Sequence, residues 1–320
     1  YQLDGASVTE SNYVSNFNSA SSRKIIITVA ASAPTLYYWC HYHSGMGGSI
    51  NTNSTHGSSN FDGTIKSKVS TSSESGFSIV TYTGSGTDSS TVGHNLADTP
   101  AIIFLKKYDG ADVWYVMHKN LTANNSLWLN SSNAQMTTSL LTYGVLSTSP
   151  TSSTFSFVAG SGAVPTGNVN NSGSNYVAYC FAEKKGYSKI GRYYSNNSSN
   201  GVFVHTGFLP SFIMIKNING ARDWRIYDNK RAGYNNKNYY LEPNTNDAES
   251  TTDSGSNWDF LANGFKFYTS EAEINGGVGN EYLIMAFAEN PFVTSTGVPT
   301  TARWLMMKPL IIGAIIAAIL

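Results

Sequence analysis

Charge is what this sequence has least of. Only 12% of its 320 residues are charged, and 20 basic residues cancel 20 acidic ones. A nucleic-acid binder needs a basic stripe to neutralise phosphates, and none is present. Cysteine is scarcer still. Cys40 and Cys180 are the only two, which rules out a disulfide framework and leaves the domains to be held by their cores. Catalytic signatures are missing as well: there is no Gly-rich phosphate loop, no nucleophile elbow and no His-Glu zinc motif. The long apolar run at 304–320, "WLMMKPLIIGAIIAAIL", is short for a membrane span of about 20 residues. It is set aside from the fold as a sequence artefact, with a truncated anchor as the alternative. The start at Tyr1, in mid-strand fashion, reads as that of a fragment.

What is abundant is Ser, Thr, Asn, Gly and Tyr, with 13% aromatic residues. That mixture disfavours helices and suits short strands joined by polar turns. The aromatic clusters supply more burial than a disordered chain has. The expectation is an all-β protein.

The densest chemistry is "LYYWCHYHSGMGG" at 36–48. Cys40, His43 and Met46 follow a strand-like run at the spacing by which a cupredoxin loop holds copper. A blue-copper site also needs a His from an earlier strand, and no His precedes His41. The set is therefore an incomplete candidate metal site. The competing reading is a Gly-rich turn ending a hairpin. Residues 1–53 are assigned to a partial cupredoxin-like β region, with strands at "RKIIITVAAS" and "TLYYWCHYH". Residues 54–75 are polar and are assigned to a linker, with "GTIKSKV" as a candidate short strand.

A repeat organises the rest. Gly76 and Gly186, Pro100 and Pro210, Lys106 and Lys216, and Trp114 and Trp224 are each 110 positions apart. "TFSFVAG" (154–160) matches "GFKFYTS" (264–270) at that offset, and "NYVAYCFAE" (175–183) matches "EYLIMAFAE" (281–289) at 106. Alternation and β-branched content place strands at 77–83, 100–107, 113–118, 126–130, 154–159 and 175–182. In the second unit they fall at 187–194, 210–217, 223–228, 238–242, 264–269 and 281–288. Two tandem β-sandwiches of jelly-roll or lectin-like type, 76–184 and 185–292, are expected, with one larger sandwich as the rival. A C-terminal tail occupies 293–320. Alternation on the last strand puts Cys180 in a core as a small hydrophobe.

The recurring tryptophans read as core residues, with a sugar-stacking platform as the alternative. His94 and His205 read as loop anchors. Glu183 and Glu289 read as acceptors for turn hydrogen bonds. The Tyr/Asn/Ser/Gly mix of "KIGRYYSNNSSNGVF" and "NNKNYYLEPNTND" is typical of adaptable binding loops.

Together, "LYYWCHYHSGMGG", "GSSNFDGTIKSKV", "GFSIVTYTG…TVGHNLADTPAIIFLKK" and "YLIMAFAENPFVTSTGVPTTAR" resemble virion proteins of marine bacteriophages, of tail-fibre or other structural type. These combine a cupredoxin-like segment with tandem β-sandwich repeats. The resemblance spans residues 25–303. It implies a non-enzymatic virion component, frequently a homo-oligomer, whose partners are other virion proteins and host-surface glycans. Members with the Cys-x-x-His-x-x-Met segment often carry an upstream His strand that this chain lacks, and their usual ending lies near "TTAR". A secreted or membrane-anchored bacterial surface adhesin and a copper-binding electron-transfer module are the alternative functions.

Overall fold

The computed structural model describes residues 57–137, 144–160, 167–231, 235, 239–251 and 257–289, together with four short strands nearer the N-terminus. The chain divides into two compact units, Tyr1–Ser54 and Thr55–Leu320. In the first, β1 (Gln2–Leu3) pairs antiparallel with β2 (Ala6–Ser7). Likewise β3 (Leu36–Trp39) pairs with β4 (Gly47–Ile50), so Gly47 and Gly48 belong to a strand. The strand expected over 23–32 lies outside the described residues.

The second unit is all-β, and its strand ladders are antiparallel. Its first repeat contains β5 (Ser58–Asn60), β6 (Ser67–Ser72), β7 (Phe77–Thr83), β8 (Thr91–Gly93), β9 (Ile102–Lys107) and β10 (Tyr115–His118). It continues with β11 (Asn125–Trp128), β12 (Met136–Thr137), β13 (Val145–Leu146), β14 (Thr154–Val158) and β15 (Asn175–Phe181), with one helical turn at Gly167–Asn170. The second repeat contains β16 (Ser188–Tyr194), β17 (Phe203–His205), β18 (Pro210–Asn217), β19 (Arg225–Asp228), β20 (Trp258–Leu261), β21 (Gly264–Phe267) and β22 (Glu281–Ala288).

Each repeat is a sandwich of one large and one small sheet. The large sheets run β12-β11-β10-β9-β15-β7-β6-β5 and β19-β18-β22-β16, and the small ones β13-β14-β8 and β20-β21-β17. The order β10-β9-β15-β7 recurs as β19-β18-β22-β16, which is the sequence repeat in three dimensions. The small-sheet strands β8, β13, β17 and β20 escape the sequence pattern because they are two to four residues long.

Three cores result. Between the sheets of the first sandwich lie Val80, Tyr82, Ile103, Leu105, Phe155, Tyr176, Ala178 and the fully buried Cys180. Between those of the second lie Tyr193, Ile213, Ile215, Trp258, Phe265, Phe267, Tyr282 and Ile284. The third core is the seam where the two large sheets pack on each other: Ile102, Phe104, Val116 and Phe181 meet Phe212, Met214, Ile226, Leu283, Met285 and Phe287. This explains the unbroken apolar runs. On β9, Ile103 and Leu105 enter the sandwich while Ile102 and Phe104 enter the seam, so no face is left for water. Burial of each such side chain contributes about 1.5–3 kcal/mol before entropy is counted.

The expected linker is a correction. Residues 58–60 and 67–72 are strands on the edge of the largest sheet, β6 pairing with β7 from Ser67↔Tyr82 to Ser72↔Phe77. Polar Ser, Thr and Lys disguise them, yet Ile65 and Val69 are buried in the first core. A second correction concerns register. Tyr82 pairs with Tyr176 and Tyr193 with Tyr282, so the first strands align at 111 although Gly76 and Gly186 are 110 apart. Both glycines have positive φ (65° and 75°), and a Cβ on Gly76 would stand 2.6 Å from the Ala182 carbonyl oxygen.

Among the described residues, β16 has no neighbour where β7 has β6. That edge is blunted. The Ser188 amide donates to Lys184 O (2.8 Å), the Ile190 amide donates to Glu183 Oε2 (3.2 Å), and charged Lys189 and Arg192 line the strand.

Candidate functional site

Most polar residues singled out by the repeat serve the fold. Lys216 is fully buried, and its ammonium donates to the carbonyls of Ser132 (3.1 Å), Asn217 (2.8 Å) and Arg222 (2.8 Å). Lys106 does the same for the Asp112 carbonyl. Each lysine therefore knots the loop that follows its strand. Burial lowers the pKa of Lys216 to about 8, opposed by Asp223.

The recurring tryptophans belong to the seam, not to a sugar platform. Trp224 is buried, with its indole N–H donating to Trp128 O at 3.0 Å. Trp114 is half-buried against the same core and stacks on Tyr179 at 6.2 Å. Their backbone amides donate to Asn130 Oδ1 (2.9 Å) and Asn244 Oδ1 (2.8 Å), a repeated loop closure.

Glu183 receives Lys119 of the first repeat at 2.8 Å and Lys189 of the second at 3.1 Å, so it joins the two. Burial opposes its charge, but the two lysines and the Ile190 amide hold its carboxyl below the ordinary range. Among the described residues, the Glu289 carboxylate meets a solvated partner, Lys230, at 3.5 Å.

His94 is fully buried and anchors a loop. Its Nδ1 accepts from the Leu96 amide (3.2 Å) and its Nε2 lies 3.2 Å from Thr151 O. Burial lowers its pKa, opposed by the Thr151 contact. Its counterpart is Thr206, whose hydroxyl accepts from the Phe208 amide; His205 falls one position out of register with it.

Two further repeated devices are not visible as motifs. Asn170 and Asn275 are fully buried and fasten the loops that follow β7 and β16. Asn275 Nδ2 reaches Asn196 Oδ1 (2.9 Å), Ser198 O (3.1 Å) and Thr269 O (2.7 Å); Asn170 Nδ2 reaches Ser85 Oγ (3.2 Å) and Thr87 O (3.0 Å). Beside them sits a pair of stacked tyrosines in each sandwich. An unrepeated device is Arg225, buried among Glu242 (3.0 Å) and Glu271 (3.0 Å) with Tyr240 against its guanidinium at 3.5 Å.

Among the described residues, a candidate surface for recognition is the outer face of the small sheet β20-β21-β17. Phe203, Lys266 and Asp259 lie in a row across its three strands. Tyr268 follows on the same face, its hydroxyl donating to Asp259 and the Lys266 ammonium 5.6 Å from its ring. His205 lies beside Phe203, with ring centroids 6.5 Å apart. Phe203 and Tyr268 are 45% and 44% exposed, whereas Trp258 and Phe265 on the same sheet are fully buried; Tyr194 on β16 of the large sheet is also exposed, at 52%. The equivalent face of the first sandwich carries Thr91, Gly93, Thr154 and Ser156. Alternation forces this arrangement, because Phe265 and Phe267 must point inward.

Cys40, His43 and Met46 lie outside the described residues. Among the described residues no group of three or more His, Cys, Asp or Glu could hold a metal ion, and no helix is long and apolar enough to cross a membrane.

No curated protein and no solved structure matches this chain. A family model described as a domain of unknown function, DUF7483, matches residues 39–291. That span runs from the end of β3 through both sandwiches and takes in most of the chain. The protein therefore belongs to the DUF7483 family.

Proposed function

We propose that this protein is a non-enzymatic structural component of a bacteriophage virion, a tail fibre or surface decoration, and that it contacts host-surface glycans. The reading is supported by its resemblance to phage structural proteins and by how its polar groups are used. Lys216, Glu183, Asn170, Asn275 and Arg225 are committed to loop closure and inter-sheet contacts. The observation that carries the glycan contact is the row Phe203–Lys266–Asp259, flanked by Tyr268 and His205, on a rigid sheet. Half-exposed aromatic faces stack on the C–H faces of sugar rings, while a carboxylate and an imidazole serve hydroxyls beside the Lys266 ammonium, which also donates to Asn200 Oδ1 (3.0 Å) and Gly201 O. One cation and one anion cancel in the row, which suits a neutral saccharide better than a polyanion.

In this reading the protein resides in the particle as a homo-oligomer beside other virion proteins. Mass spectrometry of purified virions tests the location, and recovery only in a bacterial envelope fraction would overturn it in favour of an adhesin. A glycan array tests the surface. Phe203→Ala with Tyr268→Ala is expected to abolish a signal that Trp114→Phe leaves intact.

A further inference from the structure

We propose that the seam between the two sandwiches is an acid-labile joint keyed by His118. His118 ends β10 on the face it shares with Val116, pointing into the seam, and is 1% exposed. Beside its ring is a cavity of about 10 Å³, the room of one water molecule. The other walls are Ile102, Val116, Met214, Trp224, Leu283, Ile284 and Met285, contributed by both repeats and without a charge among them. Two backbone groups face the imidazole. The Asn120 amide donates to Nδ1 at 3.1 Å, and Ile284 O lies 3.5 Å from Nε2, too far for a strong bond. The charged groups that act on the ring are Lys119, which disfavours its protonation, and Glu183, which favours it. Those two are ion-paired with each other at 2.8 Å, so they largely cancel. The counterpart of His118 in the second repeat is Asp228, partly exposed and paired with Arg231 at 2.8 Å, so the seam is asymmetric in this respect.

An imidazolium formed here would stand in an apolar layer with one weak acceptor. Burial, the larger influence, together with Lys119 lowers the pKa of His118 from 6.5 to about 3. The sign follows from proton binding. Above pH 6.5 the ring is neutral whether the seam is closed or open. Below 6.5 the open form takes up a proton that the closed form refuses, so closure loses stability down to about pH 3. Opening should rise on the order of 100-fold between pH 7.5 and pH 4.5. Separating the large sheets would hydrate His118 while leaving each sandwich's own core in place.

The test uses the full chain carrying Met285→Cys, with labelling by a disulfide reagent active at acidic pH and read by peptide mass spectrometry. Native Cys180, buried in the first sandwich's own core, is the internal reference. The thiol introduced in the seam is expected to gain reactivity at pH 4.5 far more than Cys180. His118→Leu should suppress the gain, because an apolar side chain fills the site without titrating. His118→Gln, neutral and polar, should suppress it too and serves if the leucine variant fails to fold. Equal gains at the seam thiol and at Cys180 would mean global unfolding and overturn the proposal. An unchanged gain in both His118 variants would also overturn it. A virion location is not needed for any of these outcomes.

Discussion

The ring of Tyr193 stacks on that of Tyr282 with centroids 5.1 Å apart and planes 9° from parallel, and Tyr82 stacks on Tyr176 at 5.1 Å and 12°. The hydroxyls continue the likeness. Tyr193 donates to Ile274 O and Tyr82 to Val169 O, each at 2.5 Å, while Tyr282 and Tyr176 accept from the amides of Gly276 and Asn171. A stacked, fully bonded tyrosine pair thus supports the loop end of each sandwich. Tyr193→Phe keeps the stacking and strands the Ile274 carbonyl. A loss of about 1–3 kcal/mol in denaturant unfolding is expected, with Tyr82→Phe giving a similar value.

Asn275→Ala is expected to be more costly, because it removes at once the two N–H donors shared among three acceptors and the acceptor of the Asn196 amide. The buried Thr269 carbonyl and the part-buried Ser198 carbonyl and Asn196 amide would lose this partner, for about 2–4 kcal/mol. Thermal unfolding of the variant against Asn200→Ala, an exposed neighbour, checks this. Equal stability of the two would contradict the role assigned to Asn275.

Lys216→Met keeps the length of the side chain and removes the ammonium from the Asn217, Arg222 and Ser132 carbonyls, of which Ser132 O retains the Arg222 amide as donor. Its pH signature is specific. The native pKa of about 8 lies below the ordinary 10.5, so between these values the unfolded chain holds a proton that the native protein has released. Stability from this group therefore rises with pH in that window. Relative to Lys216→Met, the native protein should gain about 2 kcal/mol between pH 7 and pH 10. Urea midpoints at the two pH values measure it.

Trp224→Ala should destabilise by about 3–5 kcal/mol, since it opens a cavity in the seam and leaves Trp128 O with the Ser131 amide in place of two donors. Trp114→Ala, at a half-buried position, should lose less. If the order were reversed, the assignment of Trp224 to the seam's centre would fail.

Copper addition should produce no intense thiolate-to-copper absorption. Cys40, His43 and Met46 supply three soft donors, but no His precedes His41 to complete a trigonal set. An intense band abolished by Cys40→Ser would establish a site that the sequence leaves incomplete.

The architecture is legible where burial is two-sided. Pro210–Asn217 and Glu281–Ala288 can be read residue for residue because both faces are packed and the apolar run is unbroken. Gly and Pro landmarks carry the repeat. Strands such as Thr91–Gly93 are not legible, because three residues carry no period and only tertiary pairing makes them strands. Ser67–Ser72 reads as a linker because its exposed side chains are polar and only Val69 and Ser67 are buried. Among the site residues, Phe203 and Tyr268 sit among many aromatics, and only the register shows which ones the core rejects. Asn275 has no motif to betray it, since three of its partners lie 77–79 positions away in sequence.

The seam has a consequence for how the chain can be divided. Ile102 and Phe212, Phe104 and Met214, Val116 and Ile226, and Phe181 and Phe287 occupy equivalent positions on the two large sheets and all line it, with the rings of Phe181 and Phe287 6.1 Å apart. The two repeats thus meet as two copies of one protein would in a symmetric dimer, with a short peptide between Phe181 and Ser188 in place of an association equilibrium. A cut between Lys184 and Lys185 would release halves that each bare a whole apolar sheet face. Such halves would rejoin, self-pair or precipitate, so the smallest soluble piece of this fold is both repeats together.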